Sequence, residues 1–393
     1  MPPLNLRLTG ALCLLQNSLD DCDLVINHTC FGAAGGALQE VDLTGYWLLP
    51  GIIDLHGDGF ERHIRPRPTA AFDKRHALQA ADAELATNGV TTAWFAQSWS
   101  WEGGSRAPDE AIALMDARRQ IAHRLGADIR IQLRFETHMP RDHAALLAAV
   151  RDYHLDYIVF NNHLPEAVEL AESKPGRFAN WAAQNGHDPE DLLAIVLAAK
   201  QADPEIPAFL TALAADLRAQ GVTLGSHDDP DVATRAFYRG IGATVCEFPT
   251  SLEAANAARA AGEPVLMGAP NIVRGGSQSG NIAAMKLVED GLCDALISDY
   301  YIPALAQSAW TIADARVLSF AHAWEMISTR PAEIMGLADR GRLNAGQRAD
   351  LVVLNPNTRR IEATIAGGQI TYASGQAAQR LMQAAPRVAV AAQ

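Results

Sequence analysis

"GIIDLHGDGFERHIRPRP", residues 51–68, begins as a short apolar run and stops on His56-Gly57-Asp58. It then crowds Glu61, Arg62, His63, Arg65 and Arg67 between prolines. An apolar run that ends at once on polar, chemistry-bearing side chains reads as a buried strand delivering a site. The same pattern recurs seven times downstream: "VTTAWFA" (90–96), "IRIQLRFE" (129–136), "LDYIVFN" (155–161), "VTLGSH" (222–227), "ATVCEF" (243–248), "PVLMGA" (264–269) and "DALISD" (294–299). Between the runs lie segments with helical spacing, such as "DKRHALQAADAELATNG", "PDEAIALMDARRQIAHRLG" and "SGNIAAMKLVEDG". Each closes on glycine, a common helix stop. Eight such alternations predict an α/β fold, a (β/α)8 TIM barrel over residues 50–339, in preference to an open doubly wound sheet.

The flanks read differently. Residues 1–49 and 340–378 lack long helical periodicity and contain strand-like stretches such as "DLVVLNP" and "QITYASG", which predict a small β domain built from both chain ends. Residues 379–393 read as a tail, and the stretch from about 164 to 219 exceeds what one crossover needs and predicts extra helices.

Composition narrows the function classes. The chain has 393 residues, 49% apolar and 20% charged, with a net charge of −13, so neither nucleic acid nor an anionic membrane is expected as the main partner. No run reaches membrane-spanning length and no persuasive signal peptide opens the chain, so a cytoplasmic protein is expected. Cys13, Cys22, Cys30, Cys246 and Cys293 are odd in number and contain no C-x-x-C, so they are expected to be reduced packing residues. Barrels of this kind are often dimers, which makes a homodimer one expectation.

Alternation on the first strand points His56 and Asp58 the same way. Alone, H-x-D is a weak pattern, since His227-Asp228-Asp229 satisfies it again. Comparison of strand ends strengthens it: Glu136 ends the third run, His163 follows the fourth, His227 ends the fifth and Asp299 ends the eighth. Imidazoles and carboxylates gathered at the C-terminal mouth of a barrel are ligands for one or two divalent ions, with Zn2+ or Mn2+ the best match. In a metal pair Glu136 is the expected bridge, because none of the four lysines stands at a strand end to be carbamylated. Asp299 is the expected proton acceptor from water.

The segments "LPGIIDLHGDGFERH", "MGAPNIVRGGSQSGN" and "ISDYYIPAL", with "GRLNAGQRADLVVLNP" near the end, resemble the amidohydrolase superfamily. Within it they are similar to the phosphonate-metabolism hydrolases of the carbon–phosphorus lyase pathway. That resemblance implies removal of diphosphate from 5-triphospho-α-D-ribose 1-methylphosphonate, with metal ligands at His56, Asp58, Glu136, His163, His227 and Asp299. It also implies a small phosphorylated substrate and a functional association with phosphonate-pathway proteins. A polyanion bound by an acidic protein needs a local basic patch, and Arg62, His63, Arg65, Arg67 and Arg274 are the expected donors. Gly275, Gly276, Ser277, Ser279 and Asn281, near the start of a predicted helix, are expected to bring backbone N–H and hydroxyl groups to an anion. The chain departs from the family pattern at Gly57, Gly59 and Gln278. Two other readings stay open: hydrolysis of an amide, cyclic amide or amidine C–N bond in a small anionic substrate, whose carboxylate or phosphate the arginines would bind, and a non-catalytic phosphate-binding protein.

Overall fold

The computed structural model describes residues 5–32, 38–67, 70–277 and 280–384. Eight parallel strands form one sheet: Ile52–Gly57, Val90–Trp99, Asp128–Glu136, Tyr157–Asn161, Thr223–His227, Val245–Glu247, Val265–Gly268 and Ala295–Ile297. They are numbered here as the first to eighth barrel strands, and each pairs with its neighbour in chain order. The sheet closes on itself, because Gly57 bridges Asp299 in parallel and the Asp299 N–H donates to the His56 carbonyl at 3.0 Å. Asp54 tightens the seam, accepting from the Ser298 backbone N–H at 2.9 Å and its hydroxyl at 2.6 Å.

The apolar runs are buried on both faces, as a barrel wall requires. Ile53, Leu55, Trp94, Tyr157, Val159, Val245, Leu266 and Ile297 pack inside the barrel. A larger cluster joins the outer faces of the strands to the helices, including Leu78 and Leu85 of Lys74–Thr87 and Leu114 of Pro108–Ile121. The long fourth connection holds four helices, Leu164–Ser173, Pro175–Gln184, Pro189–Gln201 and Ile206–Ala219. The last packs on the barrel as the ordinary crossover helix, whereas the first three share a separate apolar cluster around Phe178, Leu192 and Val196.

Both chain ends contribute two further sheets. One orders Cys30–Phe31, Leu24–Asn27, Asn5–Thr9 and Gln39–Asp42; the other orders Gln369–Ala373, Arg360–Ala366, Leu351–Asn355, Trp47–Pro50, Leu12–Leu15 and Ser18–Asp21. Leu8, Ile26, Leu48, Val353 and Ile365 meet between them. The 379–393 tail begins inside a helix, Gly375–Ala384, and its remainder lies outside the described residues.

The cysteine expectation is corrected. Leu12–Leu15 and Ser18–Asp21 pair as an antiparallel hairpin, which brings the Cα atoms of Cys13 and Cys22 to 5.9 Å, and the two form a disulfide. Cys30, Cys246 and Cys293 remain free. The two half-cystines are nine residues apart without a C-x-x-C, so only the hairpin register reveals the pair. Among the described residues no helix is long and apolar enough to cross a membrane.

Candidate metal centre and anion pocket

The C-terminal ends of the barrel strands converge on one mouth. His56 and Asp58 arrive from the first strand and its exit, Glu136 from the third, His227 from the fifth and Glu247 from the sixth. His163 stands just beyond the fourth strand and Asp299 just beyond the eighth. His163 and His227 therefore belong to the fourth and fifth strands, and the insertion displaces neither. Asp228, Phe248 and Asp299 leave their strands with φ of 61°, 50° and 54°, a left-handed conformation that non-glycine residues rarely adopt. Three such turns around one mouth mark backbone held for what its side chains do.

Two groups of donors stand close enough to hold a cation. His56, His227 and Glu247 form one, and Glu102, Glu136 and His163 the other, with donor atoms in each group within 4.8 Å of one another. Their hydrogen bonds separate ligands from supports. Glu247 accepts from the Tyr157 hydroxyl at 2.5 Å and from Gln132 at 2.8 Å on Oε1, while Oε2 meets His56 Nδ1 at 2.7 Å. Burial alone raises this carboxyl, but His56 and His227, with the Tyr157 hydroxyl, outweigh it and hold it below its ordinary value. An ionised Glu247 accepts a hydrogen bond from the Nδ1–H of His56 and so leaves the Nε2 lone pair free for a metal ion, the support that metal-binding histidines commonly have. Asp228 meets His227 Nδ1 at 2.7 Å in the same way. Glu136 meets His163 Nδ1 at 2.5 Å. This imidazole and carboxylate chemistry fits a divalent ion.

A cavity of about 320 Å³ opens over the centre. Asp58, His227, Asp228 and Asp299 line it together with Arg106, Arg134 and Arg274. Arg134 Nη1 lies 3.6 Å from Asp58, and its Nε is buried with no hydrogen-bond partner among the described residues. Burial, and then the charge of Asp58, push Asp299 up to about 6.

The structure thus gathers His56, Asp58, Glu136, His163, His227 and Asp299 at one mouth, but it places the basic patch elsewhere. Glu61–Ile64 forms a single helical turn directly after the first strand and directs Arg62 and His63 to Glu84 of helix Lys74–Thr87, His63 at 2.8 Å. Arg65 faces Glu110 at 3.7 Å, and Arg67 is exposed in a small turn with Ala70. None of these four lines the cavity. The glycine-rich segment does reach it: Arg274, Gly276, Ser277 and Asn281 are lining residues. Its expected place at a helix start is corrected, because Arg274 ends the helix Ala269–Arg274, Gly275 turns the chain with φ of 80°, and the next helix begins only at Ala284. Ser279 and Gln278 lie outside the described residues.

Sequence reading missed Glu247, Arg134, Arg106 and Glu102. Glu247 ends the sixth strand as Glu136 and His227 end theirs, and Arg134 stands two residues before Glu136 on the same strand face. Both signals were present. Asp229 turns away from the mouth to the fully buried Arg235 at 3.0 Å. Among the tryptophans, Trp94 packs inside the barrel, Trp99 in the strand–helix layer and Trp101 against the inserted helices.

Residues 57–377 match the family model described as the amidohydrolase family. The chain belongs to the amidohydrolase family. One relative, the alpha-D-ribose 1-methylphosphonate 5-triphosphate diphosphatase of Escherichia coli strain K12, is 35% identical over 328 residues, covering 80% of this chain and 85% of the relative. Solved amidohydrolase-like folds superpose over nearly the whole length. An atrazine chlorohydrolase from Arthrobacter aurescens TC1 gives a TM-score of 0.64 at 13% identity, covering 96% of this chain and 99% of that one. A beta-aspartyl dipeptidase from Fervidobacterium islandicum AW-1 gives 0.63 at 15%, covering 95% and 98%. At such identities these two speak for the fold alone.

Proposed function

We propose that this amidohydrolase releases diphosphate from alpha-D-ribose 1-methylphosphonate 5-triphosphate, leaving the 5-phosphate, with a divalent ion, Zn2+ or Mn2+, at the barrel mouth. The observation that carries the reading is one cavity lined both by candidate metal ligands and by three arginines. The 35% identity to a diphosphatase over most of both chains supports it. A small anionic amide would engage guanidinium groups at one remote carboxylate or phosphate, whereas a polyphosphate chain offers oxygens to all three arginines of the cavity.

His56, Asp58, Glu136, His163, His227 and Asp299 would hold the metal, with Glu136 serving as a bridge if two ions bind. When bound, such an ion polarises a phosphoryl oxygen and makes water more acidic at neutral pH. The remaining work falls to side chains. Glu247 and Asp228 orient the imidazoles of His56 and His227. Arg106, Arg134 and Arg274 bind phosphate oxygens and offset charge that builds between them as the anhydride bond breaks. Asp299 faces the cavity and takes the proton of the attacking water.

The test is product analysis on metal-loaded protein of known metal content, with ATP as control. Diphosphate from the ribose compound and little from ATP is the expected result. Stoichiometric metal with no release of diphosphate or phosphate would overturn the reading and direct the search to carbon–nitrogen bonds.

A further inference from the structure

The loop after the second strand, which carries Arg106 to the cavity, forms a joint with the inserted helices, and the proposed chemistry assigns those helices no part. Glu102 is fully buried, and both its oxygens accept from Arg106 Nη1 at 2.9 Å. Its Oε2 also accepts from the indole N–H of Trp181, at 2.7 Å, on the inserted helix Pro175–Gln184. The loop backbone is gripped by the same insertion. His187 Nε2 lies 3.0 Å from the Glu102 carbonyl, and a Cβ on Gly103 would meet that imidazole at 2.5 Å. A Cβ on Gly104 would meet the Asn185 backbone at 2.7 Å. Gly103 and Gly104 have φ of 76° and 55°, so the loop has the one residue type that allows both the turn and the close approach.

The result is an arginine held from behind. Nη1 of Arg106 is committed to Glu102, the residue lines the cavity, and no other hydrogen bond to its guanidinium occurs among the described residues. Glu102 is saturated by Arg106, Trp181 and Ser100, which makes it a support for the arginine more than a cation ligand.

We infer that Arg106 binds the polyphosphate portion of the substrate, and that the 164–201 insertion acts through Trp181 and Glu102 to position it. The inference deepens the proposed reaction and rests on it for the substrate's identity, but the binding of a phosphoanhydride is testable without turnover. Arg106 contacts ligand; Glu102 and Trp181 are positioning residues.

The experiment measures inorganic diphosphate and methylphosphonate binding by titration calorimetry on full-length, metal-loaded protein, with KM and kcat for the triphosphate alongside. Arg106→Ala is expected to weaken diphosphate binding about 10- to 100-fold, the scale of a lost charge-assisted contact. It should leave methylphosphonate binding unchanged. Arg106→Lys should recover part of the loss, since charge returns without the fork. Trp181→Phe keeps the ring and removes the N–H; it should raise KM about 3- to 10-fold with kcat little changed. Wild-type diphosphate affinity in Arg106→Ala overturns the ligand assignment, and unchanged KM in Trp181→Phe overturns the role of the insertion. If the triphosphate is not turned over but Arg106→Ala still loses diphosphate, the reaction falls and the anion site stands.

Discussion

Glu247 has both carboxylate oxygens engaged by Gln132, Tyr157 and His56 before any ligand arrives. Glu247→Ala should therefore cost metal affinity, by about 10- to 100-fold in chelator competition, because His56 loses the partner that fixes its tautomer. Asp299→Asn keeps the size and loses the base; kcat should fall by about 10² to 10⁴ with metal content maintained. Gly57 shows what one absent atom allows. A Cβ there would stand 2.7 Å from Asp54 Oδ2 and from the Ser298 hydroxyl, so a side chain at this position would displace the pair that tightens the seam. Gly57→Ala should lower stability by about 1–3 kcal/mol in a urea titration. At this scale the sequence announced the His, Asp and Glu residues that meet at the mouth, because a polar residue closing an apolar run has few structural uses. It did not reveal which carboxylates are ligands and which are supports, since both kinds end strands and only hydrogen-bond partners tell them apart.

The fifth strand and the helix that follows it behave as one element. Arg235 of Val232–Gly240 is fully buried and meets Asp229, the Ser226 hydroxyl and Glu263. Asp229→Ala would strand that guanidinium, and a loss of about 3–5 kcal/mol in denaturant titration is expected. The turn carrying His227 would loosen with it. The arginines after the first strand teach the complementary lesson. One helical turn at Glu61–Ile64 rotates Arg62 and His63 toward Glu84, and no spacing rule foretells that a neighbouring helix offers a carboxylate there. The strands were legible because burial on both faces demands continuous apolar runs. The helix after the glycine segment was placed too early; it begins at Ala284, whose backbone N–H donates to the Asn271 side chain at 3.0 Å.

Across the whole molecule the proposed metal ligands come from the ends of three strands and from the turns after the first, fourth and eighth, so an ion would tie together segments that otherwise meet only through the sheet. Removing metal with chelator should abolish activity and lower the melting temperature, and readdition should restore both; at free metal 100-fold above its Kd the stabilisation is about 2.7 kcal/mol. A melting temperature indifferent to chelator would argue against a site built from these residues. The chain by itself determined the barrel and the polar character of its mouth, because eight apolar runs alternate with helical segments and four of the runs end on His56, Glu136, His227 and Asp299. Only the tertiary structure decided the Cys13–Cys22 pair, the support given by Glu247, and the replacement of the Arg62–Arg67 patch by Arg106 and Arg134, which join the expected Arg274 at the cavity. Each of these depends on which groups meet across elements distant in sequence, and charge or spacing along one segment carries no record of the partner that will face it.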